Sequence, residues 1–175
     1  MKPRLQIIVA STRPTRFADK PLAWLVERLA KRDGLEFEIL DMRDHPLALY
    51  DLADSPARTP REYAREDIVA LGRALDRADG YIVLTSEYNH GYPASLKNAL
   101  DHVFVELNRK PVSFLGYGGV GAARAIEQLH WSASNSKWPH FVTRSTYCLT
   151  SCSLPCRPKC STLKCSHLSI NGSRC

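Results

Sequence analysis

The chain has 175 residues, of which 44% are hydrophobic and 24% are charged. This composition suits one globular domain and excludes disordered and fibrous classes for most of the chain. The formal net charge of +6 and the six cysteines are unevenly placed. Residues 1–130 hold 18 of the 24 basic residues and all 18 acidic residues, whereas residues 131–175 hold the other six basic residues and every cysteine. No apolar run approaches the roughly 20 residues of a membrane span, and residues 5–10 are too few for a secretory signal core. We therefore expect a cytoplasmic protein without membrane contact.

Apolar patterns predict four pairs of strand and helix in the first 130 residues. Strands are expected at residues 5–10, 37–40, 80–85 and 111–115, because short apolar runs are typical of strands buried on both faces of a parallel sheet. Helices are expected at residues 20–32, 62–77, 94–107 and 122–130, where apolar side chains recur at helical spacing. This alternation predicts an α/β fold with a doubly wound parallel sheet.

The loop after the first strand is a candidate phosphate site, because ligands of such sheets bind beyond the carboxyl ends of the strands. Ser11, Thr12, Arg13 and Arg16 supply hydroxyls and guanidinium groups just before a helix N-terminus. These groups suit a phosphate dianion. The alternative is a helix cap with solvated arginines.

Two further loops fall at the same edge of the predicted sheet. Residues 86–93 include Glu87, Tyr88, Asn89 and His90, whose hydrogen-bonding and aromatic groups suit a planar heterocycle, although a tyrosine could simply pack on a neighbour. Residues 116–121 contain four glycines, which allow the backbone to approach a flat ligand or to adopt positive φ. The alternative for this second segment is a flexible turn.

Three motifs in these loops resemble the NADPH-dependent FMN reductases of the flavodoxin-like superfamily. They are Ser11-Thr12-Arg13-Pro14-x-Arg16, then Glu87-Tyr88-Asn89-His90-Gly91-x-Pro93-x-x-Leu96-Lys97-Asn98-Ala99-Leu100-Asp101, then Gly116-Tyr117-Gly118-Gly119 leading to Ala123-Arg124-Ala125. The resemblance covers residues 4–130 and implies a flavodoxin-like sheet with strand order 2-1-3-4-5. Three positions depart from the family pattern: Ala10 and Ala122, where glycine is common, and Ser86, where proline usually stands.

The resemblance implies noncovalently bound FMN that is reduced by NADPH or NADH. Electrons would then pass to a small acceptor such as a quinone, a free flavin, an azo compound or a metal oxyanion. By position, the loop after the first strand would hold the phosphate, and Glu87, Tyr88 and Asn89 would border the isoalloxazine. Gly118, Gly119, Val120 and Gly121 would approach the other edge of the ring.

Hydride transfer between two stacked rings needs no protein nucleophile, so we assign no catalytic residue and no metal ligand. His90 could tune or protonate a group near the flavin, or it could be a plain hydrogen-bonding residue. The resemblance also implies a homodimer or homotetramer. The alternative function is a flavodoxin-like domain that binds a nucleotide or partner without turnover, or an inactive truncated product.

Residues 131–175 differ in character from the rest and are predicted to be a disordered, Ser/Cys-rich basic tail. Their cysteines lack the paired C-x2-C spacing of zinc sites, and disulfides do not suit a reducing compartment. The basic residues are dispersed, so we do not expect the segment to bind nucleic acid. From residue 134 onward, one permitted codon choice in a shifted frame gives Glu-Leu-Gln-Met-Ala-Pro-Leu-Arg-His-Ala-Val-His-Ile-Leu-Pro, which resembles the family's helix end and fifth strand. We predict a frameshift or sequencing error near residue 131, which would leave the fifth strand missing or aberrant, with accidental pairing of residues 141–147 as the alternative.

Overall fold

The structure, a computed structural model, describes residues 2–58, 60–135 and 144–146. The six cysteines and most of the segment predicted to be a disordered tail lie outside these described residues. The reading-frame hypothesis stays a prediction for the same reason.

A five-stranded parallel sheet forms the centre of the fold. Its strands are β1 (Arg4–Val9), β2 (Glu36–Asp41), β3 (Gly80–Thr85), β4 (Val112–Gly116) and β5 (Arg144–Thr146). They lie in the order β2-β1-β3-β4-β5, and every neighbouring pair is parallel. The predicted α/β class and strand order are confirmed. The switch in strand order falls between β1 and β3, so a cleft is expected beyond their carboxyl ends.

The fifth strand is present but short. Its three residues pair with the end of β4, from Phe114 opposite Arg144 to Gly116 opposite Thr146. The sequence predicted that the fifth strand would be missing or aberrant, or that residues 141–147 would pair with the sheet by accident. The structure has a strand of three residues inside this range. The backbone groups of β4 that face this strand are paired rather than exposed, which limits edge-to-edge association.

Four helices flank the sheet: α1 (Asp19–Ala30), α2 (Glu66–Asp76), α3 (Ala94–His102) and α4 (Ala123–Asn135). Helix α4 extends five residues beyond the predicted end at residue 130, into the segment whose composition changes. Within the described part of the chain, no helix has the length and apolar character needed to cross a bilayer.

Helix α3 ends earlier than the predicted residue 107. Val103 is extended, and a separate 3-10 turn follows over Val105–Leu107. The side chain of Glu106 turns inward, is 1% exposed, and accepts hydrogen bonds from the Phe104 backbone N–H at 3.2 Å and the Tyr63 hydroxyl at 2.8 Å. The Phe104 N–H thus donates to the Glu106 carboxylate instead of to a carbonyl of the preceding helical turn, and α3 does not continue through this residue.

The core lies on both faces of the sheet, as the continuous apolar strands predict. Successive residues of β1 alternate between two clusters: Ile8 packs with α2, α3 and α4 residues, and Ile7 and Val9 pack with α1 residues. Because both faces of the sheet are covered by helices, a ligand is expected beyond the carboxyl ends of the strands rather than on a face.

Candidate functional site

A cavity of about 550 Å³ lies at the carboxyl ends of β3 and β4 and beside the start of α1. Its walls come from three chain segments that are far apart in the sequence. The lining residues are Phe17, Ser86, Glu87, Tyr88, Tyr117, Gly118, Gly119, Val120, Ala122 and Arg124. We call this space the carboxyl-end cavity. It combines aromatic rings, a carboxylate, a guanidinium and glycine backbone around one opening.

Tyr88 links the loop after β3 to the loop after β1. Its hydroxyl lies 3.0 Å from Ser11 Oγ. Burial of the Tyr88 ring opposes ionisation, but hydroxyl neighbours, Ser11 first, and the charge of Arg13 more than compensate and lower its pKa. The structure therefore brings Ser11, Arg13 and Tyr88 together, whereas their predicted role in binding FMN stays a prediction.

The loop after β3 folds into a tight turn at Asn89 and His90. Both residues have positive φ, 50° and 67°, and Tyr88 and Gly91 exchange two backbone hydrogen bonds of 2.8 and 2.9 Å. This is the geometry of a two-residue hairpin, in which asparagine tolerates the left-handed conformation well. The turn fixes Tyr88 at the cavity wall and leaves Asn89 on the exposed side.

Glu87 joins the same loop to the N-terminus of α4. Its carboxylate accepts hydrogen bonds from the Arg124 side chain and, at 3.2 Å, from the Arg124 backbone N–H. A carboxylate at a helix N-terminus is favoured by the helix dipole. Arg124 Nη1 also lies 2.8 Å from His90 Nε2, within hydrogen-bond distance. These contacts make Glu87 and His90 parts of a scaffold for the cavity.

The glycine-rich loop after β4 leaves open space at the cavity. Gly118 has a φ of +117° and Gly121 a φ of +64°, so both use the conformational freedom expected of glycine. A Cβ atom built on Gly118 or Gly119 would meet no atom within 4 Å. A flat ligand could thus lie directly against this backbone.

The structure gives Arg16 contacts other than those predicted from the sequence. Its side chain is 1% exposed and forms a two-pronged pair with the Asp41 carboxylate, at 2.7 and 2.6 Å. It also donates to Asp19 at 2.8 Å and to the Ser11 carbonyl at 2.8 Å. Arg16 therefore ties the end of β1, the start of α1 and the end of β2 together. Its predicted contact with a phosphate stays a prediction and would require one of these partners to be exchanged.

Asp41 is shared between two arginines. Burial opposes ionisation of this carboxyl, but hydrogen bonds from Arg16 and Arg43 hold its pKa well below its usual range. Arg43 also lines a second cavity, of about 420 Å³, beside Thr12, His45, Ser95 and Asn98. The predicted phosphate residue Thr12 thus lies at this neighbouring cavity.

The predicted site residues divide into three groups. Glu87, Tyr88, Gly118, Gly119 and Val120 line the carboxyl-end cavity. Ser11 and Arg13 lie beside Tyr88, while Thr12, Arg16, Asn89, His90 and Gly121 are not among the lining residues.

Sequence reasoning missed Phe17, Ser86, Tyr117, Ala122 and Arg124 as lining residues. The available signal was position, because each lies within one residue of a predicted loop or in a quoted motif. Residue type alone did not point to a ligand at any of them.

Two solved structures with the same fold are flavin-dependent oxidoreductases. The NAD(P)H:(acceptor) oxidoreductase FerB of Paracoccus denitrificans aligns over 85% of this chain and 78% of its own, with a TM-score of 0.64 and 24% identity. An FMN-dependent NADH-azoreductase of Bacillus anthracis in complex with FMN aligns over 77% of this chain and 82% of its own, with a TM-score of 0.56 and 11% identity. At these identities the comparison establishes the fold.

Sequence relatives agree with the fold. An NAD(P)H-dependent FMN reductase of Schizosaccharomyces pombe is 35% identical over 127 residues, covering 73% of this chain and 64% of the relative. An NAD(P)H-dependent FMN reductase of a Nectria species is 32% identical over 130 residues, covering 72% of this chain and 65% of the relative. The chain therefore spans just under two thirds of the length of these two relatives. The family model for NADPH-dependent FMN reductases matches residues 3–147, which include the three loops and β5. The chain belongs to the NADPH-dependent FMN reductase family.

Proposed function

We propose that this protein is an NAD(P)H-dependent oxidoreductase that binds FMN without a covalent bond in the carboxyl-end cavity. The observation that carries the proposal is one cavity of about 550 Å³ at the carboxyl end of the sheet, lined by the loops after β3 and β4 and, from the segment after β1, by Phe17. Family membership, and the names of relatives that reduce FMN with NAD(P)H, support it.

The residues present fit an FMN molecule. The backbone at Gly118 and Gly119 has open space on the cavity side, which a side chain would fill and which a flat ring can use. The cavity also offers aromatic surface from Phe17 and Tyr88. Arg13 and the start of α1 supply the positive charge and helix N-terminus that suit a phosphate group.

Each part of the site then has a separate task. Ser11, Thr12 and Arg13 would hold the phosphate, with Arg16 keeping their loop in shape through the Ser11 carbonyl. Tyr88 and the backbone of Gly118–Val120 would hold the ring, and Glu87 with Arg124 would keep these two walls at a fixed separation. Bound FMN would supply the chemistry, taking a hydride from NAD(P)H and passing two electrons to a small acceptor.

The second substrate would enter from the open side of the cavity. Val120 is 53% exposed and Tyr88 is 37% exposed at this opening, so a planar nicotinamide or acceptor would meet apolar and aromatic surface. Quinones, free flavins, azo compounds and metal oxyanions are the proposed acceptor classes.

We also infer a homodimer or homotetramer located in the cytoplasm. The family resemblance supports this assembly, and Trp131, which is 71% exposed on α4, is a residue that a partner subunit could cover. Light scattering coupled to size exclusion would measure the mass of the assembly, and fractionation of the source cells would test the location.

FMN titration of the full chain tests the proposed function. We expect saturable quenching of flavin fluorescence, and loss of the oxidised flavin absorbance when NADPH or NADH is added without oxygen. A chain that shows no saturable FMN binding would overturn the proposal. A chain that binds FMN but is reduced by neither dinucleotide would favour the alternative of a binding domain without turnover.

A cavity-filling variant provides a matched control. Gly119→Trp should place an indole in open space, so we expect the far-UV spectrum of the folded protein and at least a tenfold loss of FMN affinity. Ile39→Trp adds the same side chain at a half-exposed position of β2, outside the cavity. It should leave FMN affinity unchanged.

A further inference from the structure

The second cavity, of about 420 Å³, lies beside the loop after β1, and its walls also come from the segment after β2 and from α3. Arg43 is the one lining residue with a full charge, and no carboxylate is among the described residues that line the cavity. Ligand pockets in proteins are commonly about 300–1,000 Å³. The space therefore suits a small organic molecule with a negative group.

The guanidinium of Arg43 has hydrogen-bond donors that its ion pair does not use. Its Nε and Nη2 donate to the Asp41 carboxylate at 3.1 and 2.8 Å. Its Nη1 makes no hydrogen bond to any residue that the structure describes. The side chain is 42% exposed. Two N–H groups of Arg43 are therefore available to an oxyanion.

The imidazole of His45 is the second available group. His45 is half-buried at the cavity wall, and its ring makes no hydrogen bond within the described part of the chain. An imidazole carries at least one N–H in every common protonation state. By contrast, Ser95 Oγ and Asn98 Nδ2 donate to backbone carbonyls at 2.6 and 2.8 Å. Ser95 and Asn98 hold the walls together, whereas Arg43 and His45 can serve a ligand.

The charge behind this wall is positive. Asp41 shares its one negative charge between Arg16 and Arg43, so the three side chains together carry a formal charge of +1. Asp19, the other carboxylate partner of Arg16, is 55% exposed, and water screens its charge. The electrostatic environment of Arg43 therefore favours an anion in the second cavity.

We propose that the second cavity binds a phosphate monoester, with the phosphate at Arg43 and His45. The two N–H groups of Arg43 Nη1 and the ring N–H of His45 are three donors, and a phosphate monoester presents three acceptor oxygens. Met42, Pro46 and Leu47 also line the cavity and offer apolar surface to the organic part of the ligand. A bare inorganic ion would leave this surface unfilled. The inference does not depend on the proposed binding of FMN.

Calorimetric titration of the full chain without flavin tests the site. Adenosine 2′-monophosphate and adenosine 5′-monophosphate are the probes, and adenosine is the control without phosphate. We expect saturable binding of at least one monoester, with adenosine at least about tenfold weaker, a difference of about 1.4 kcal/mol.

Two variants assign the binding to the proposed residues. Arg43→Gln and His45→Phe each remove donors, and each should weaken monoester binding about tenfold or more, because hydrogen bonds to charged groups are strong. Arg77→Gln is the matched control, since Arg77 is 53% exposed and pairs with Glu38 at 3.4 Å outside the cavity. It should leave the affinity unchanged. His45→Phe keeps the test open if Arg43→Gln does not fold, because His45 takes no part in the ion pair with Asp41.

The two probes also distinguish the source of the phosphate. NADPH carries a phosphate on the ribose 2′ oxygen, which NADH lacks. Tighter binding of the 2′ probe, with a KM for NADPH that rises in Arg43→Gln while the KM for NADH does not, would identify the ligand as this end of NADPH. Equal affinity for both probes would identify free monoesters. Either result supports the site.

Competition with FMN separates this site from the proposed flavin site. Thr12, which we assign to the FMN phosphate, also lines the second cavity, so the two phosphates must be shown to bind together. The monoester that binds the free chain should still bind when FMN is saturating. A loss of about 100-fold would place the FMN phosphate in the second cavity and overturn the inference.

Two other results would overturn it: no saturable binding of either monoester to wild type, or unchanged affinity in both Arg43→Gln and His45→Phe. Failure of the proposed function would look different, because the chain would then bind no FMN, whereas the monoester titration needs no flavin.

Discussion

Replacing Arg16 by glutamine tests whether this arginine positions the loop after β1. The change removes the guanidinium that pairs with Asp41 through two hydrogen bonds and that donates to the Ser11 carbonyl. Glutamine retains polarity and much of the length but carries no charge. The stability of the free protein should fall, because a buried carboxylate loses its main partner.

The contacts set the size of the loss. Breaking a buried ion pair costs about 3–5 kcal/mol when the remaining charge is left unpaired. The side chains of Arg16 and Asp41 are 1% and 11% exposed, but Arg43 continues to neutralise Asp41 at 2.8 Å. We therefore expect a smaller loss, of about 2–3 kcal/mol, which corresponds to a fall in the thermal midpoint of about 5–10 °C for a domain of this size.

Urea unfolding of the free protein provides the assay, with Arg16→Gln, Asp41→Asn and the double variant forming a cycle. We expect a coupling free energy of at least about 1 kcal/mol between the two sites. Arg4→Gln is the control, because the Arg4–Glu36 pair at 3.2 Å is about half exposed and should contribute little. Additive effects of Arg16→Gln and Asp41→Asn would refute the reasoning.

Acid unfolding gives an independent readout of the same pair. The pKa of Asp41 is lowered in the folded protein, so its contribution to stability is complete above the unfolded pKa of about 4 and is lost as the pH falls below that value. In this range wild type should lose up to about 1.4 kcal/mol per pH unit through this one group. Asp41→Asn should lack that component, and an equal acid slope in both proteins would argue against the pairing.

Three further substitutions test other parts of the fold and site. Gly116→Ala should destabilise the protein by more than about 2 kcal/mol, because the new Cβ would overlap the Gly121 carbonyl oxygen and lie 2.8 Å from the Ile126 side chain; a thermal midpoint equal to that of Gly119→Ala would contradict this. Glu87→Gln should increase amide hydrogen exchange at the start of α4 and weaken FMN binding, because Arg124 loses its carboxylate partner; unchanged exchange would show that the pair does not hold the helix. Tyr63→Phe should cost about 1–3 kcal/mol, because buried Glu106 loses a hydrogen bond, whereas Tyr50→Phe, which removes an exposed hydrogen bond to the Asp54 carbonyl, should change the free energy of unfolding little.

The strands and their order were predictable because a parallel sheet covered on both faces requires continuous apolar runs, and β3 begins and ends at the expected residues. The early end of α3 was not predictable from periodicity, because it depends on Glu106 turning inward toward Tyr63, a residue 43 positions away. The short β5 lies in a segment whose composition shows no strand pattern, and its place comes from pairing with β4.

The candidate site was predictable as three loops but not as a set of contacts. Tyr88 at the cavity wall follows from its place after β3, since the loop is anchored on both sides. Arg16 illustrates the limit, because a guanidinium before a helix suits a phosphate and a buried carboxylate equally well. In the structure Arg16 pairs with the carboxylate of Asp41. This residue is 25 positions away in the sequence and lies beside Arg16 because β2 pairs with β1.

If the loop after β1 holds the FMN phosphate as proposed, Asp41 makes the end of an outer strand a determinant of cofactor affinity. This carboxylate contacts Arg43 at the second cavity and Arg16 behind the proposed phosphate loop, so the two cavities are electrostatically linked through one side chain. An anion bound to Arg43 in the second cavity would compete with Asp41 for this guanidinium and would leave Arg16 as the partner of Asp41. Binding in one cavity would thereby change the rigidity of the loop that serves the other, although no residue of β2 lines the carboxyl-end cavity.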